Sequence, residues 1–137
     1  MSDYISLKKY FIEELYIKAP IPQTQNEELG VELSTDLNFG KNPHNEHLFM
    51  VTLSCSVNYK EYPDHHIKAT ITGLFETGEK CINEEMRNRL LSNGAASTLY
   101  GTLREVIRAA TSQTLYPPLI LPIFHFGEVK ITFADEK

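Results

Sequence analysis

FMVTLSCSVNY, running from Phe49 to Tyr59, is the stretch on which the fold turns. Phe49, Val51, Leu53, Cys55, Val57 and Tyr59 fall on one side of a period of two, and Thr52, Ser54, Ser56 and Asn58 fall on the other. Successive side chains of an extended chain point to opposite faces. The stretch therefore predicts a strand with one covered face and one wet one.

Working outward, the same pattern recurs. Gly40 to His47, with Asn42-Pro43, reads as a turn. Before it, Val31, Leu33, Leu37 and Phe39 alternate with Glu32, Ser34, Asp36 and Asn38. Earlier still, Leu7 to Ala19 is strand-like, with Phe11, Leu15, Ile17 and Ala19 at even spacings. Pro20-Ile21-Pro22 stops it, because proline has no amide to give a ladder. The polar stretch from Gln23 to Gly30 is a connection. On the other side, Tyr62-Pro63-Asp64 breaks the chain. A fourth strand then turns Ile67, Ala69, Ile71 and Phe75 inward and Lys68, Thr70 and Thr72 outward. Short connections leave no room for crossover helices, so the four strands predict an antiparallel sheet. From Val31 to Phe75, odd-numbered residues are expected against the core and even-numbered ones toward solvent.

The period then changes. Asn83 suits a helix N-cap, with Glu84 and Glu85 at the positive end of the dipole. Met86 and Leu90 share a face, and Asn93-Gly94 predicts a kink. Ala96, Leu99, Leu103, Val106 and Ala110 follow at spacings of three and four, and Tyr100 and Ile107 add a second apolar edge. One sheet is expected to cover one edge only. Leu99, Tyr100, Leu103, Val106 and Ile107 are therefore candidates for an oligomer interface. The fold class is α+β: a four-stranded antiparallel sheet with a long kinked helix packed on one face, a single domain over residues 1–137.

Beyond Ser112 runs LYPPLILPIF, Leu115 to Phe124, with prolines at 117, 118 and 122. Proline forbids a helix here and disfavours a central strand, so this arm is expected to be extended and apolar. Val129, Ile131 and Phe133 alternate as in a short last strand.

Composition narrows the function. At 137 residues, with 42% hydrophobic and 23% charged residues, the chain is an ordinary globular mixture. A net charge of −5 and no basic run argue against a nucleic-acid partner. Cys55 and Cys81 are too few for a disulfide framework. The start, Met1-Ser2-Asp3-Tyr4, lacks the pattern of a signal peptide. No apolar run approaches the ~20 residues that span a bilayer, so the cytoplasm is expected and membrane insertion is not.

No nucleophile elbow, phosphate loop or dinucleotide fingerprint is present, so no enzyme, catalytic residue or cofactor is expected. His44, His47, His65, His66 and His125 raise the question of a metal. Both His44-x-x-His47 and His65-His66 sit in turn-like sequence, without the element that fixes ligand geometry, and no metal is expected.

The stretch from Ala96 to Phe126, ASTLYGTLREVIRAATSQTLYPPLILPIFHF, resembles the bacterial protein-export chaperone family SecB. Arg104-Glu105, Tyr116-Pro117, Leu119, Leu121 and Phe126 fall on the family's helix and proline-bearing arm. Gly73-Leu74-Phe75 resembles its Gly-Ile-Phe, and Ile17-Lys18-Ala19-Pro20 its Phe-Glu-Ala-Pro. The resemblance implies a cytoplasmic holdase that keeps unfolded or export-destined polypeptides from aggregating, assembled as a homotetramer, a dimer of dimers. It also implies a client groove. The candidates to line it are Pro20, Ile21, Pro22, Leu115, Tyr116, Pro117, Pro118, Leu119, Leu121, Phe124 and Phe126.

Two departures bear on partners. Eleven strand-like residues follow Phe126 where the family has a second helix and an acidic tail. Glu14 is kept, but Lys18 and Lys68 stand where the family offers carboxylates to the SecA motor, which argues against SecA docking. Chaperoning an antitoxin, as toxin–antitoxin branches of the family do, is an alternative. A small-ligand-binding α+β protein is another.

Overall fold

Four strands pair antiparallel in the order β1-β4-β3-β2 in a computed structural model that describes residues 4–20, 30–81, 83–113 and 121. They are β1 (Ile5–Lys18), β2 (Val31–Asn42), β3 (Asn45–Tyr59) and β4 (His66–Thr77). Side chains close the β2–β3 hairpin: Asn42 Oδ1 accepts from the His44 amide at 2.8 Å, and Asn45 Oδ1 from the His47 amide at 2.9 Å. Asparagine satisfies local amides in this way where the ladder cannot.

The period of two holds along β3. Phe49, Val51, Leu53, Cys55, Val57 and Tyr59 are buried, and the residues between them are half-buried or exposed. Ile67, Ala69, Ile71 and Phe75 of β4 are buried beside them. Thr72 is the even-numbered exception. It is buried on the outer face, where its hydroxyl meets that of Thr52 at 3.0 Å.

The first strand corrects its sequence reading. Its register with β4 shifts between Leu7 and Lys9 and again between Ile12 and Glu14. Each shift inserts a residue, and an extra residue reverses the alternation beyond it. Phe11 thus pairs with outward-facing Thr72, while Leu15 and Ile17 pair with inward-facing Ala69 and Ile67. The evenly spaced set Phe11, Leu15, Ile17 does not share one face.

The helix begins at Asn83, whose Oδ1 accepts from the Met86 amide at 2.8 Å. It runs as α1 (Glu84–Arg89), a π-helical segment (Leu90–Ala95) and α2 (Ala96–Thr111), with right-handed helical backbone at both junctions. The expected interruption at Asn93-Gly94 falls inside the π-helical segment, whose wider turn absorbs it without a break. Helix α2 packs on β3 and β4. Gly73 permits the approach: a Cβ there would stand 2.8 Å from the Phe75 ring and 2.9 Å from Leu99 Cδ2.

The broad apolar stripe of α2 is also corrected. Leu99, Tyr100, Leu103 and Ile107 are all buried within the chain, and only Val106 is half-covered. Both edges are covered because α2 lies across two strands at once and Leu121 joins the same core. The apolar width of the helix is therefore no argument for a second subunit.

Candidate functional site

Ile5, Leu7 and Ile17 of β1 pack against the core, but α2 covers β3 and β4 and leaves the middle of β1 exposed on the helix side. Tyr10 is 49% exposed and Leu15 44%, with Ile12 between them. Phe11 and Tyr16 are exposed on the opposite side of the same strand, and Tyr4 precedes it. The strand thus leaves large apolar side chains exposed on both of its sides. An open hollow of about 590 Å³ lies between Tyr10 and the Thr98, Gly101, Val106 and Ala109 face of α2.

A second hollow, about 480 Å³, opens on the outer face of the sheet. Gly40, Leu48, Met50 and Leu74 line it, and the ion pair between Lys8 and Glu76 (3.3 Å) lies on its rim. Gly40 contributes by leaving out a side chain: the atom nearest a Cβ there would be Met50 Cε at 3.6 Å.

Of the expected groove residues, Pro20 and Leu121 lie within the described residues. Pro20 is buried at the end of β1. Leu121 is 3% exposed and belongs to the core, and its carbonyl oxygen accepts from Arg104 Nε at 3.0 Å. At Leu121 the side chain closes the chain's own core. Ile21, Pro22, Leu115, Tyr116, Pro117, Pro118, Leu119, Phe124 and Phe126 lie outside the described residues, as does the expected last strand. Sequence reasoning missed Tyr10, Ile12 and Leu15. Two inserted residues hide their shared environment from a simple period of two.

The titratable groups hold no activated nucleophile among the described residues. Burial pushes the Cys55 thiol up to about 12, and burial also raises Cys81, against a smaller lowering by the Arg87 charge. Tyr100 is raised by burial first, then by Cys55, with Arg104 opposing. His47 lies in β3 rather than in the turn, 3.4 Å from Thr77 Oγ1, and His66 stacks on Tyr16 at the start of β4. No group of three metal-ligating side chains comes together among the described residues. No described helix is long and apolar enough to cross a membrane.

The sequence profile of the family described as preprotein translocase subunit SecB matches residues 2–131. The chain belongs to the SecB family. By that membership it is a SecB-type chaperone. A SecB-like chaperone of Mycobacterium tuberculosis, solved in complex with a ChAD peptide from the HigA1 antitoxin, shares the fold. It has a TM-score of 0.66 and 18% identity over 88% of this chain and 91% of that one. A Streptococcus agalactiae protein of unknown function aligns at a TM-score of 0.46 and 8% identity, over 89% of this chain and 99% of that one. No curated relative matches the chain.

With SecB as the frame, the charges of the outer face acquire meaning. Lys68 reaches Glu14 at 3.5 Å, so the one carboxylate kept from the expected docking set already has a cationic partner within the chain. Lys18 pairs in register with His66 at the end of the sheet. This corner therefore presents cations, or a carboxylate shared with a cation, to any approaching partner.

Proposed function

We propose that this SecB-type chain is a cytoplasmic, non-enzymatic holdase. It would keep unfolded polypeptides from aggregating by many shallow apolar contacts, as a homo-oligomer most simply built as a tetramer, a dimer of dimers. The observation that carries the reading is membership of the SecB family across residues 2–131. The geometry supports it with apolar surface that the chain leaves bare along β1 and in the outer hollow. The apolar arm between α2 and Leu121 adds further side chains of the same kind, with Tyr116 and Leu119 as its contacts to clients. Light scattering from an aggregating client tests the reading. Substoichiometric chain should suppress the signal, and unchanged scattering at molar excess overturns it.

An antitoxin is a second candidate client. A SecB-like protein of the same fold was solved with an antitoxin peptide. The two client classes separate in a pull-down against the product of any antitoxin gene adjacent to this one. Selective capture of that product over a generic unfolded protein favours the antitoxin branch.

A further inference from the structure

Among the described residues β2 lies at an edge of the sheet, with β3 on one side and no strand on the other. An open edge offers a row of unpaired amides and carbonyls, a template for another strand. The inner row of β2 is also incompletely covered, because α2 packs on β3 and β4. Val31, Leu33, Thr35 and Leu37 are half-buried, whereas Tyr59, Val57, Cys55 and Leu53, their register partners on β3, are buried. The outer row of β2 exposes Glu32, Ser34, Asp36 and Asn38. One segment outside the described residues carries the complementary pattern. In GEVKITFADE, 127–136, Val129, Ile131 and Phe133 fall on one side of a period of two, and Glu128, Lys130 and Thr132 on the other. The eight residues from Leu121 to Val129 can span about 26 Å. That exceeds the three strand spacings of about 4.8 Å that separate β4 from the far side of β2.

We propose that the occupant of the β2 edge is residues 128–136 of the same chain, paired antiparallel as a fifth strand with Lys130 opposite Asp36. In that register Phe133 faces Leu33, Ile131 faces Thr35 and Val129 faces Leu37, which extends the apolar inner face by one row. On the outer face Lys130 meets Asp36, an opposite-charge pair across the strands. Glu136 comes opposite Gly30, along whose backbone the Lys60 side chain lies: a Cβ at Gly30 would stand 3.3 Å from Lys60 Cδ. A slip of one residue sets apolar side chains against polar ones. A slip of two sets Glu128 against Asp36 in one direction and Glu136 against Glu32 in the other, like charges in both cases. A parallel strand would carry Glu136 away from Lys60 and form the slightly weaker ladder. The chain then closes this edge against strand addition by other polypeptides and leaves its apolar side-chain surfaces for clients.

The test is cross-linking in a full-length Cys81→Ser chain, where the remaining Cys55 is buried. Directly opposed residues on antiparallel strands lie about 4.5–5.5 Å apart at Cα, inside the roughly 4.4–6.8 Å that a disulfide spans. Ser34→Cys with Thr132→Cys, and Asn38→Cys with Glu128→Cys, should each oxidise to a disulfide within one chain. The exchanged pairs, Ser34→Cys with Glu128→Cys and Asn38→Cys with Thr132→Cys, should stay reduced, being four residues or about 13 Å out of register. Hydrogen exchange supplies a second readout that needs no cysteine. The β2 amides directed away from β3 should be protected in the wild type. Ile131→Pro, which removes a ladder amide, should speed their exchange about tenfold or more and leave the β3 amides unchanged. Disulfides in the exchanged pairs, or disulfides that join two chains, overturn the proposal. So do β2 edge amides that exchange as fast in the wild type as in Ile131→Pro.

Discussion

Arg104 on α2 donates from Nε to the carbonyl oxygen of Leu121, 3.0 Å away and seventeen positions later in the chain. The guanidinium ties the arm to the helix at the point where the Leu121 side chain enters the core. Removing that side chain empties a buried site, so Leu121→Ala should destabilise the fold by about 2–4 kcal/mol. Arg104→Met, which keeps the apolar stem, should cost about 1–2 kcal/mol for a lost charge-assisted hydrogen bond. Urea unfolding measures both. A Leu121→Ala midpoint equal to wild type would show that the arm is not part of the core.

Gly73 and Leu99 make the second prediction. The methyl of Gly73→Ala would sit 2.9 Å from Leu99 Cδ2 and 2.8 Å from the Phe75 ring. Neither neighbour is free to retreat, because both are buried. Overpacking of this kind should cost about 1–3 kcal/mol. Pairing it with Leu99→Ala should recover part of the loss in a double-mutant cycle, and purely additive effects would contradict the contact.

These two contacts show what was legible in the sequence. The strands announced themselves because β3 and β4 have one covered face, so a period of two survives in the residue types. The helix start was readable because Asn83 supplies a local hydrogen bond that depends on no distant partner. The bare face of β1 was not readable, since the residues inserted at Lys8 and Glu13 are set by pairing with β4. The covered second edge of α2 was not readable either. Whether Tyr100 and Ile107 meet sheet or subunit depends on where the helix crosses β3 and β4, and no local pattern encodes that.

The thiols give a pH-dependent prediction. In the folded chain Cys55 holds its proton up to about 12, against an ordinary value of 9.0. Below pH 9 both folded and unfolded chains keep that proton. Between about 9 and 12 only the unfolded chain releases it, so this group makes stability fall as pH rises through that window. Cys55→Ala should flatten the decline measured by urea unfolding at pH 8, 9 and 10. A thiol reagent at pH 8 should modify Cys81 alone, because Cys55 is fully buried. Rapid native modification of Cys55 would contradict its burial.

The charges at the outer corner predict weak recognition by the SecA motor. Lys18 and Lys68 stand where the family resemblance implies carboxylates, and Glu14 is shared with Lys68 at 3.5 Å. Like charges facing a basic segment lower its affinity and slow its approach. Calorimetric titration with the motor's basic C-terminal segment should show no submicromolar binding at physiological salt. K18E with K68E should strengthen whatever binding exists, and tight binding by the wild type would refute this reading of the charges.

The arm between α2 and Leu121 carries the prediction closest to function. Arg104 holds the carbonyl of Leu121, and the prolines at 117 and 118 are expected from the sequence to stiffen the chain before it. A segment stiffened by proline and tied at its end loses little freedom when a client docks, so modest apolar contacts suffice to hold it. Tyr116 and Leu119 are the large apolar side chains nearest those prolines. Replacing both with Ser removes apolar burial from each client contact and should weaken client retention about tenfold or more. This reading expects the oligomer to stay intact, because it assigns these two positions to client contact. Sedimentation and aggregation suppression must be read together. A double variant that falls apart assigns Tyr116 and Leu119 to the core with Leu121. One that stays assembled and still suppresses aggregation at the wild-type level moves the client surface off the arm, to the outer hollow lined by Met50 and Leu74.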